Sequence, residues 1–223
     1  MKRMDRENMH NGFLIVLEGP EGAGKTTIAR LLEKTFRDAG LDVISAREPG
    51  GTKLGENIRN VLLDSKDIAI PALSELFLFL ASRVAFIGEV IKPQLDKGGI
   101  VIADRFELST MAYQISGRGL PEEKSLDAIR FATGGMSPDI CFILMVDAET
   151  GRRRQGLQNK VPDRLESMAL DFHKKVNDGY RYFAHRILNS HIVETDNLSV
   201  ERVHKYVVEY LKQNFPEHFC GIV

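Results

Sequence analysis

Five short apolar runs recur along the chain, and longer amphipathic stretches separate them. The runs cover residues 13–17, 43–46, 100–103, 140–146 and 191–194. Consecutive apolar residues are typical of strands that are buried on both faces, as in a parallel sheet covered by helices. The alternation of such strands with helical patterns predicts an α/β fold, a doubly wound, five-stranded parallel sheet flanked by helices.

The stretches between the runs carry apolar residues at helical spacing. Helices are predicted from about 25 to a stop at Gly40, and over about 54–63, 72–95, 109–115, 122–133, 163–188 and 200–213. The first should bury Ile28, Leu31, Leu32 and Phe36. The long helix predicted over 72–95 carries an apolar stripe made of Leu73, Leu76, Phe77, Leu80, Val84, Ile87 and Ile91.

The chain contains no internal repeat and no linker that would divide it, so residues 12–223 are predicted to form a single domain. Residues 1–11 are polar and mixed in charge, and we expect a disordered extension there. The stretch 151–162 is dense in charge and lacks periodicity. We interpret it as a mobile flap, with a lid over about 151–163.

Composition narrows the possible functions. The 30 basic and 31 acidic residues nearly cancel, which argues against a general nucleic-acid-binding protein. The two cysteines, Cys141 and Cys220, form no spacing typical of a disulfide framework or a zinc site. A reducing, cytoplasmic setting is therefore expected. The longest apolar run is too short to cross a bilayer, so no membrane partner is expected.

A phosphate-binding loop is predicted directly after the first strand. The sequence GPEGAGKTT at 19–27 fits G-x-x-x-x-G-K-[ST], between a strand and a helix, as a P-loop requires. Backbone N–H groups of small residues and the helix N-terminus can surround a triphosphate. Lys25 can reach the β and γ oxygens, and Thr26 can bind Mg²⁺. The predicted ATP site comprises Gly19, Pro20, Glu21, Gly22, Ala23, Gly24, Lys25, Thr26 and Thr27.

Charged residues also follow two other strands. Asp104 ends the strand 100–103, which in P-loop enzymes is a position that holds the metal or its waters. Arg105 follows it at the carboxyl end of the sheet, where open α/β sheets bind ligands. Arg47 ends the second strand, and Arg59 lies in the next helix.

An aromatic ring and an arginine share a face of the long helix. Phe79 and Arg83 are four residues apart, so the ring could stack on a flat heterocycle while the guanidinium donates to its carbonyl. Three further arginines, at 152–154, lie near the beginning of the flap. Arginines on a closing lid can stabilise a moving phosphoryl group and exclude water. Glu21 takes a P-loop position that would suit a cation. We therefore expect the cation that stabilises the transition state to come from the flap instead.

Four motifs in order resemble the thymidylate kinase family, in its bacterial form with a basic lid. They are LEGPEGAGKTT at 17–27, REPGGT at 47–52, LASR at 80–83 and DRFELSTMAYQ at 104–114. The resemblance extends over about 13–211. It implies transfer of the γ-phosphoryl group of MgATP to dTMP, giving dTDP and ADP in dTTP biosynthesis. It also implies a homodimer.

The resemblance also implies roles for individual residues. Lys25, Arg105, Arg153 and Glu21 would be catalytic, and Thr26 and Asp104 would serve magnesium. Glu21 would bind the 3′-hydroxyl of the deoxyribose, or the metal shell beside it. Tyr113 would crowd the 2′ position of that sugar and so favour deoxyribose over ribose. Asp163 and Glu166 would help to order the lid and the metal's waters. The substrate site for dTMP would comprise Glu21, Arg47, Arg59, Phe79, Arg83, Arg105, Ser109, Thr110, Tyr113 and Gln114.

Three other functions fit the P-loop. Another nucleotide or small-molecule kinase would differ in its acceptor. A nucleotide-dependent switch is a second possibility, although the chain has no N/T-K-x-D element with which a GTPase reads guanine. A relative that has lost activity is disfavoured by the presence of Lys25, Asp104 and Arg105.

Overall fold

Five parallel strands form one sheet at the centre of the protein. A computed structural model describes residues 11–65, 68–157 and 162–222. The strands are β1 (Phe13–Glu18), β2 (Val43–Arg47), β3 (Ile100–Asp104), β4 (Ile140–Met145) and β5 (Ser190–Glu194). Every residue of β1, β3 and β4 is buried. The predicted parallel sheet is thus confirmed, and no strand begins or ends more than one residue from its predicted bound.

The strand order β2-β3-β1-β4-β5 places β1 in the middle of the sheet. Leu17 pairs with Asp104 of β3 on one side and with Phe142 of β4 on the other. The strands that follow β1 in the chain lie on both of its sides, β2 and β3 on one side and β4 and β5 on the other. The carboxyl end of β1 is therefore the topological switch point, where open α/β sheets form their ligand crevice.

Helices cover both faces of the sheet. They are α1 (Lys25–Asp38), α2 (Lys53–Arg59), α3 (Ala72–Phe86), α4 (Lys92–Asp96), α5 (Glu107–Thr110), α6 (Glu122–Thr133), α7 (Ala148–Gly156), α8 (Leu170–Ala184), α9 (Val200–Asn214) and α10 (Pro216–Phe219). Wider π-helical turns follow α2 at Asn60–Asp64, join α3 to α4 at Ile87–Ile91, and follow α5 at Met111–Gly117.

Two apolar cores lie on opposite faces of the sheet, because successive side chains of a strand point to opposite sides. Leu14 and Val16 of β1 join the core under α3, α6 and α8. Phe13, Ile15 and Leu17 join the core under α1, α9 and α10. No helix among the described residues is both long and apolar enough to span a membrane.

Three predictions about the helices are wrong in part. Residues 163–168 form a turn, so α8 begins at Leu170 and ends at Ala184 rather than covering 163–188. The stripe of the long helix is divided: Leu76 and Leu80 are buried, whereas Leu73, Phe77 and Val84 are more than half exposed. Leu31 of α1 is only partly buried.

The flap differs in part from expectation, and the C-terminal tail adds a feature that the sequence did not predict. Residues 151–156 belong to α7, so the first part of the predicted mobile flap is a helix. Residues 158–161 of the flap, and residues 1–10 of the predicted extension, lie outside the described residues. At the other end, α10 inserts Phe219 against Phe13 and Phe36, which gives the C-terminal tail a place in the core.

Candidate active site

The loop after β1 is held in shape by glycines whose neighbours leave no space for a side chain. Gly19 has φ of +136°, and a Cβ there would lie 2.0 Å from the carbonyl oxygen of Leu144. Gly22 has φ of +74°, and its Cβ would lie 2.3 Å from the carbonyl oxygen of Gly151. The loop is therefore packed between β4 and the start of α7, and it delivers Lys25 as the first residue of α1.

Lys25 is buried, and its ammonium group lies within the loop. Its Nζ donates to the carbonyl oxygens of Gly19 at 2.8 Å and Pro20 at 2.7 Å. Burial, together with the nearby charge of Arg105, lowers the pKa of Lys25 to about 8. An incoming triphosphate would provide anionic partners in place of these two neutral carbonyls, so the ammonium is poised to turn toward phosphate.

Thr26, in the first turn of α1, lies beside Asp104, the last residue of β3. The Thr26 hydroxyl donates to Oδ2 of Asp104 at 2.5 Å. Both side chains border the same cleft. A hydroxyl and a carboxylate oxygen are the donors that Mg²⁺ takes from proteins when phosphates and waters complete its shell. The two residues predicted to serve magnesium are therefore adjacent and chemically suitable.

Glu21 and Arg105 form the centre of a polar network across the mouth of the loop. Nη2 of Arg105 donates to Oε1 of Glu21 at 2.5 Å, and the Tyr113 hydroxyl donates to the same oxygen at 2.8 Å. Burial would raise the pKa of Glu21, but the charges of Arg105 and Lys25 lower it to about 2. Glu21 is thus a carboxylate throughout the neutral range, and its acceptor capacity faces the cleft.

The backbone of Arg105 has a left-handed φ of +80°, which is uncommon for a residue other than glycine. Its side chain is fixed by several contacts. Nη1 donates to the Gly19 carbonyl at 3.2 Å, to Ser109 Oγ at 3.1 Å and to the Tyr180 hydroxyl at 2.9 Å. The guanidinium also lies 5.3 Å from the centre of the Tyr113 ring. These contacts place a preorganised cation beside the P-loop.

Glu18 and Tyr180 support this network, and sequence reasoning missed both. Glu18 is fully buried and accepts hydrogen bonds from the backbone N–H groups of Phe106 and Ser109. The Tyr180 hydroxyl lies 2.8 Å from Ser109 Oγ. A carboxylate at the end of a buried strand is a signal that could have identified Glu18. Tyr180 lies within the amphipathic pattern of α8 and carries no local signal.

Two further arginines border the cleft opposite the P-loop. Arg47 is about half exposed, and its Nη2 lies 3.5 Å from Oε2 of Glu56. Arg59 donates to the Pro49 carbonyl at 3.0 Å. Burial lowers the pKa of Arg59, and the like charge of Arg47 lowers it further. Like charges that approach each other in this way favour a dianion between them.

Phe79 and Arg83 border the same cleft from α3, as their spacing predicted. Arg83 is only 1% exposed, and its guanidinium is held on three sides. It donates to Glu48 Oε2 at 2.8 Å, to Thr110 Oγ1 at 2.9 Å and to the Phe106 carbonyl at 2.8 Å. A guanidinium has five N–H groups, so two remain for a ligand.

Glu48 was also missed by sequence reasoning, which treated its motif mainly as a turn. Its Oε1 is buried and has no hydrogen-bond partner among the described residues. Burial raises the pKa of Glu48 to about 7, although the adjacent Arg83 acts in the opposite direction. Glu48 therefore fixes the orientation of Arg83 but is not a strongly acidic group.

The arginines of α7 occupy different positions. Arg154 donates to the carbonyls of Thr195 at 2.8 Å and Asp196 at 3.0 Å, and its Nη1 donates to the Gly22 carbonyl of the P-loop at 3.5 Å. Arg153, predicted to be catalytic, is exposed and does not border the cleft.

Asp163 and Glu166, between α7 and α8, border the cleft, and the side chain of each caps the backbone of the other. Asp163 Oδ1 accepts from the Glu166 N–H, and Glu166 Oε2 accepts from the Asp163 N–H.

Most of these groups meet in one cleft of about 520 Å³ at the carboxyl end of the sheet. Most of the predicted site residues border it, namely Glu21, Gly22, Gly24, Lys25, Thr26, Thr27, Arg47, Arg59, Phe79, Arg83, Asp104, Arg105, Ser109, Thr110, Tyr113 and Gln114. Four do not border it: Gly19, Pro20, Ala23 and Arg153. The cleft therefore has a P-loop at one end and an arginine-lined, partly aromatic pocket at the other.

Comparisons with known proteins agree with this geometry. A family model described as thymidylate kinase matches residues 17–207, a span that contains all four motifs. A thymidylate kinase of Clostridium novyi (strain NT) is 38% identical over 205 residues, which cover 92% of this chain and 100% of the relative. One from Caldanaerobacter subterraneus subsp. tengcongensis is 41% identical, covering 90% and 97%. One from Deinococcus radiodurans is 42% identical, covering 79% and 85%.

Proposed function

We propose that this chain, which belongs to the thymidylate kinase family, transfers the γ-phosphoryl group of ATP to dTMP, forming dTDP and ADP for dTTP biosynthesis. The observation that carries the proposal is one cleft in which a P-loop faces Arg47, Arg59 and Arg105. A triphosphate and a monophosphate both need cationic partners, and this cleft offers two such regions that face each other. The resemblance inferred from the four motifs is confirmed by the family match.

Phosphoryl transfer depends mainly on alignment and charge stabilisation. A phosphate oxygen of dTMP attacks the γ-phosphorus while the bond to the β,γ-bridging oxygen breaks, and ADP leaves with that electron pair. The attacking phosphate is already anionic at neutral pH, so no general base is needed. Lys25 would bind the donor's β and γ oxygens. Arg105, rigidly held between the two ends of the cleft, would orient the acceptor phosphate and stabilise the charge in transit.

The pocket beyond the arginines fits a deoxynucleoside. Phe79 would stack on the base, and the two remaining N–H groups of Arg83 would reach its 4-carbonyl. Glu21 would accept a hydrogen bond from the 3′-hydroxyl. Tyr113, held on Glu21 at 2.8 Å, would occupy the space that a 2′-hydroxyl needs. Ser109 and Thr110 would line the same wall.

We propose Mg²⁺ as the ion that accompanies ATP. Thr26 and Asp104 would hold it or its waters, since their oxygen atoms fit its ligand preference. When bound, the ion neutralises charge on the phosphates. Asp163 and Glu166 would help to order its waters from the cleft's other rim.

Arg153 remains the proposed lid contact to the transferring phosphoryl group. Gly151 packs against the P-loop, which places α7 next to the donor site. Arg153 lies two residues farther along and is exposed, whereas Arg154 is engaged by Thr195 and Asp196. A complex with donor and acceptor that left Arg153 far from the γ-phosphoryl group would contradict this role.

The test of the proposed function is a panel of nucleoside monophosphates with ATP, measured by coupled ADP release. We expect kcat/KM to be at least about 100-fold higher for dTMP than for AMP, CMP or GMP, because wrong bases leave buried donors unpaired. For dUMP, which lacks one methyl group, we expect a value about 10- to 200-fold below that of dTMP. Equal rates with all acceptors would contradict dTMP specificity, and ATP hydrolysis indifferent to dTMP would instead indicate a switch.

We further propose that the enzyme is a homodimer packed through α3. Leu73, Phe77 and Val84 are 55%, 56% and 53% exposed and lie along one side of that helix. An apolar face of this kind is usual where a helix packs on a partner. Replacing Phe77 with glutamate would bury a charge in the interface, so the variant should sediment as a monomer.

The matched control for this prediction is Val200→Glu. Val200 is 40% exposed at the start of α9, which covers the face of the sheet opposite to α3, so the same change there should leave the sedimentation coefficient of the dimer unaltered. Unmodified protein that sediments as a monomer at micromolar concentration would exclude the dimer.

A cytoplasmic location is also proposed. Cys141 and Cys220 are both free thiols. Free cysteines are usual in a reducing compartment, where disulfides are rare. Recovery of the protein in a membrane or secreted fraction after cell fractionation would argue against this location.

A further inference from the structure

A buried carboxylate that no role above uses lies behind the base-binding end of the cleft. Glu75, in the first turn of α3, is fully buried. Its Oε1 accepts from Gln114 Nε2 at 2.9 Å and from Arg118 Nε at 3.0 Å. Its Oε2 accepts from Arg118 Nη2 at 2.9 Å and from Arg164 Nη2 at 2.6 Å.

The charge state of Glu75 follows from these contacts. Burial would raise its pKa, but the hydrogen bonds from Arg118, Gln114 and Arg164 bring the pKa below its ordinary value. Two guanidinium groups within hydrogen-bond distance also favour the ionised form. Glu75 is therefore an ionised carboxylate, and an ionised carboxylate can only accept hydrogen bonds.

This charge state determines which way the amide of Gln114 points. A side-chain amide has a donor end and an acceptor end, and its assignment rests on its partners. Because Glu75 only accepts, the Gln114 NH₂ group must face it, and the amide oxygen must point elsewhere. Gln114 borders the cleft, and no described residue donates to its Oε1. The acceptor end is thus available to a ligand.

We propose that Glu75 is a positioning residue that sets base specificity by locking the Gln114 amide with its oxygen toward the base. This inference rests on the proposed function, because it concerns the base of the acceptor nucleotide. Thymine and uracil carry an N–H group at position 3, which can donate to that oxygen. Cytosine has a lone pair at the same position, which would oppose it. Glu75 therefore makes the pocket select bases that donate at N3.

Arg83 reads the adjacent position of the same edge. Its free N–H groups require an acceptor at position 4, which thymine and uracil offer as a carbonyl and cytosine does not. Discrimination against cytosine is thus shared between the donor of Arg83 and the acceptor of Gln114. Only the second of these depends on Glu75.

The decisive substitution is Glu75→Gln, which keeps the shape and introduces an NH₂ group. The new carbonyl oxygen should take the Oε2 position, where it can accept from Arg118 Nη2 and Arg164. The new NH₂ group would then face Gln114 and reverse that amide. Arg118 Nε loses its acceptor, but this side chain is 18% exposed and can turn toward water. The Gln114 NH₂ group would now face the base, where it opposes an N3 donor and suits an N3 acceptor.

The experiment compares kcat/KM for dTMP, dUMP and dCMP in the unmodified enzyme and in Glu75→Gln. We expect the dTMP-to-dCMP ratio to fall by about tenfold or more, since one hydrogen bond is lost for dTMP and one repulsion is relieved for dCMP. The dTMP-to-dUMP ratio should stay the same, because these bases share the same edge at N3 and O4. An equal fall for all three nucleotides would overturn the inference and leave Glu75 a purely structural role.

A control variant and a second measurement complete the test. Arg118→Lys keeps a cation beside Glu75 while disturbing the cluster, so it should leave the dTMP-to-dCMP ratio unchanged; a comparable shift there would overturn the inference. If Glu75→Gln does not fold, a crystal structure of the unmodified enzyme with dTMP tests the inference instead. The Gln114 amide should lie within about 3.2 Å of thymine N3, and a larger separation would overturn the inference. Unmodified enzyme that does not use dTMP would instead refute the proposed function.

Discussion

Replacing Lys25 with alanine should lower kcat by about 10²- to 10³-fold while the protein remains folded. The reason is that one preorganised charge aimed at the developing transition state contributes about this much in a dry site. Lys25 is buried at the start of α1, and among the described residues its ammonium donates to two neutral carbonyls. Burial and the like charge of Arg105 lower the pKa of Lys25, so the folded protein holds this charge at a cost in stability, and its removal should not weaken the fold. The measurement is steady-state kcat with saturating ATP and dTMP, together with a thermal unfolding curve.

The control for this prediction is Lys34→Ala on the same helix. Lys34 is exposed and pairs with Asp38, so its loss should leave kcat unchanged. Turnover in Lys25→Ala within threefold of the unmodified enzyme would refute the role assigned to Lys25. Loss of cooperative unfolding would show that the residue is needed for the fold instead.

The second large effect is expected for Arg105→Ala, with kcat/KM for dTMP reduced by about 10²- to 10⁴-fold. This arginine is expected to bind the acceptor phosphate and also to stabilise the charge in transit. In the structure it is held by Glu21, Ser109 and Tyr180, so its position is set before ligands arrive. KM for ATP should change much less, because the P-loop holds the donor independently. Initial-rate kinetics with each substrate varied in turn provide the measurement.

Two control variants accompany this second prediction. Alanine at position 105 must adopt the left-handed backbone of Arg105, so part of any loss could come from strain. Arg105→Lys carries the same strain and keeps a positive charge, and it should recover part of the activity. Arg130→Ala, a change at an exposed residue of α6, should behave as the unmodified enzyme. A KM for dTMP unchanged in Arg105→Ala would contradict a contact with the acceptor.

The centre of the sheet could be predicted from the sequence because β1, β3 and β4 are buried on both faces. Burial on both faces makes the strands nearly continuous apolar runs, which separate clearly from the helices. The beginning of α8 could not be predicted in this way. The pattern that suggests a helix continues back to Asp163, but the Asp163 side chain accepts from the backbone N–H groups of Leu165 and Glu166 and so stabilises a turn.

The long helix shows a second limit of pattern reasoning. Leu73 and Leu76 belong to the same apolar stripe in the sequence, yet one is exposed and the other is buried. Helical spacing identifies apolar faces but does not say whether the neighbour is the same chain or another molecule. The proposed dimer would cover the exposed half of the stripe.

For the site, the predictable residues were those within local motifs. Lys25, Asp104 and Arg105 stand in the P-loop or at the end of a strand, where a short sequence fixes their position. Glu75 and Tyr180 carry no such signal, since their partners are distant in the sequence. Tyr180 meets Arg105 across 75 positions, and Glu75 meets Gln114 across 39. Contacts of this kind are created by the fold and can be found only in it.

The central claim is that the acceptor phosphate of dTMP lies among arginines directly opposite a P-loop that holds ATP. A crystal structure with dTMP, a non-hydrolysable ATP analogue and Mg²⁺ tests it most directly. We predict the dTMP phosphate in contact with Arg105 and with Arg47 or Arg59, thymine on Phe79, and Mg²⁺ at Thr26 and Asp104. A map with dTMP bound outside this pocket, or with its phosphate beyond the reach of all three arginines, would contradict the account.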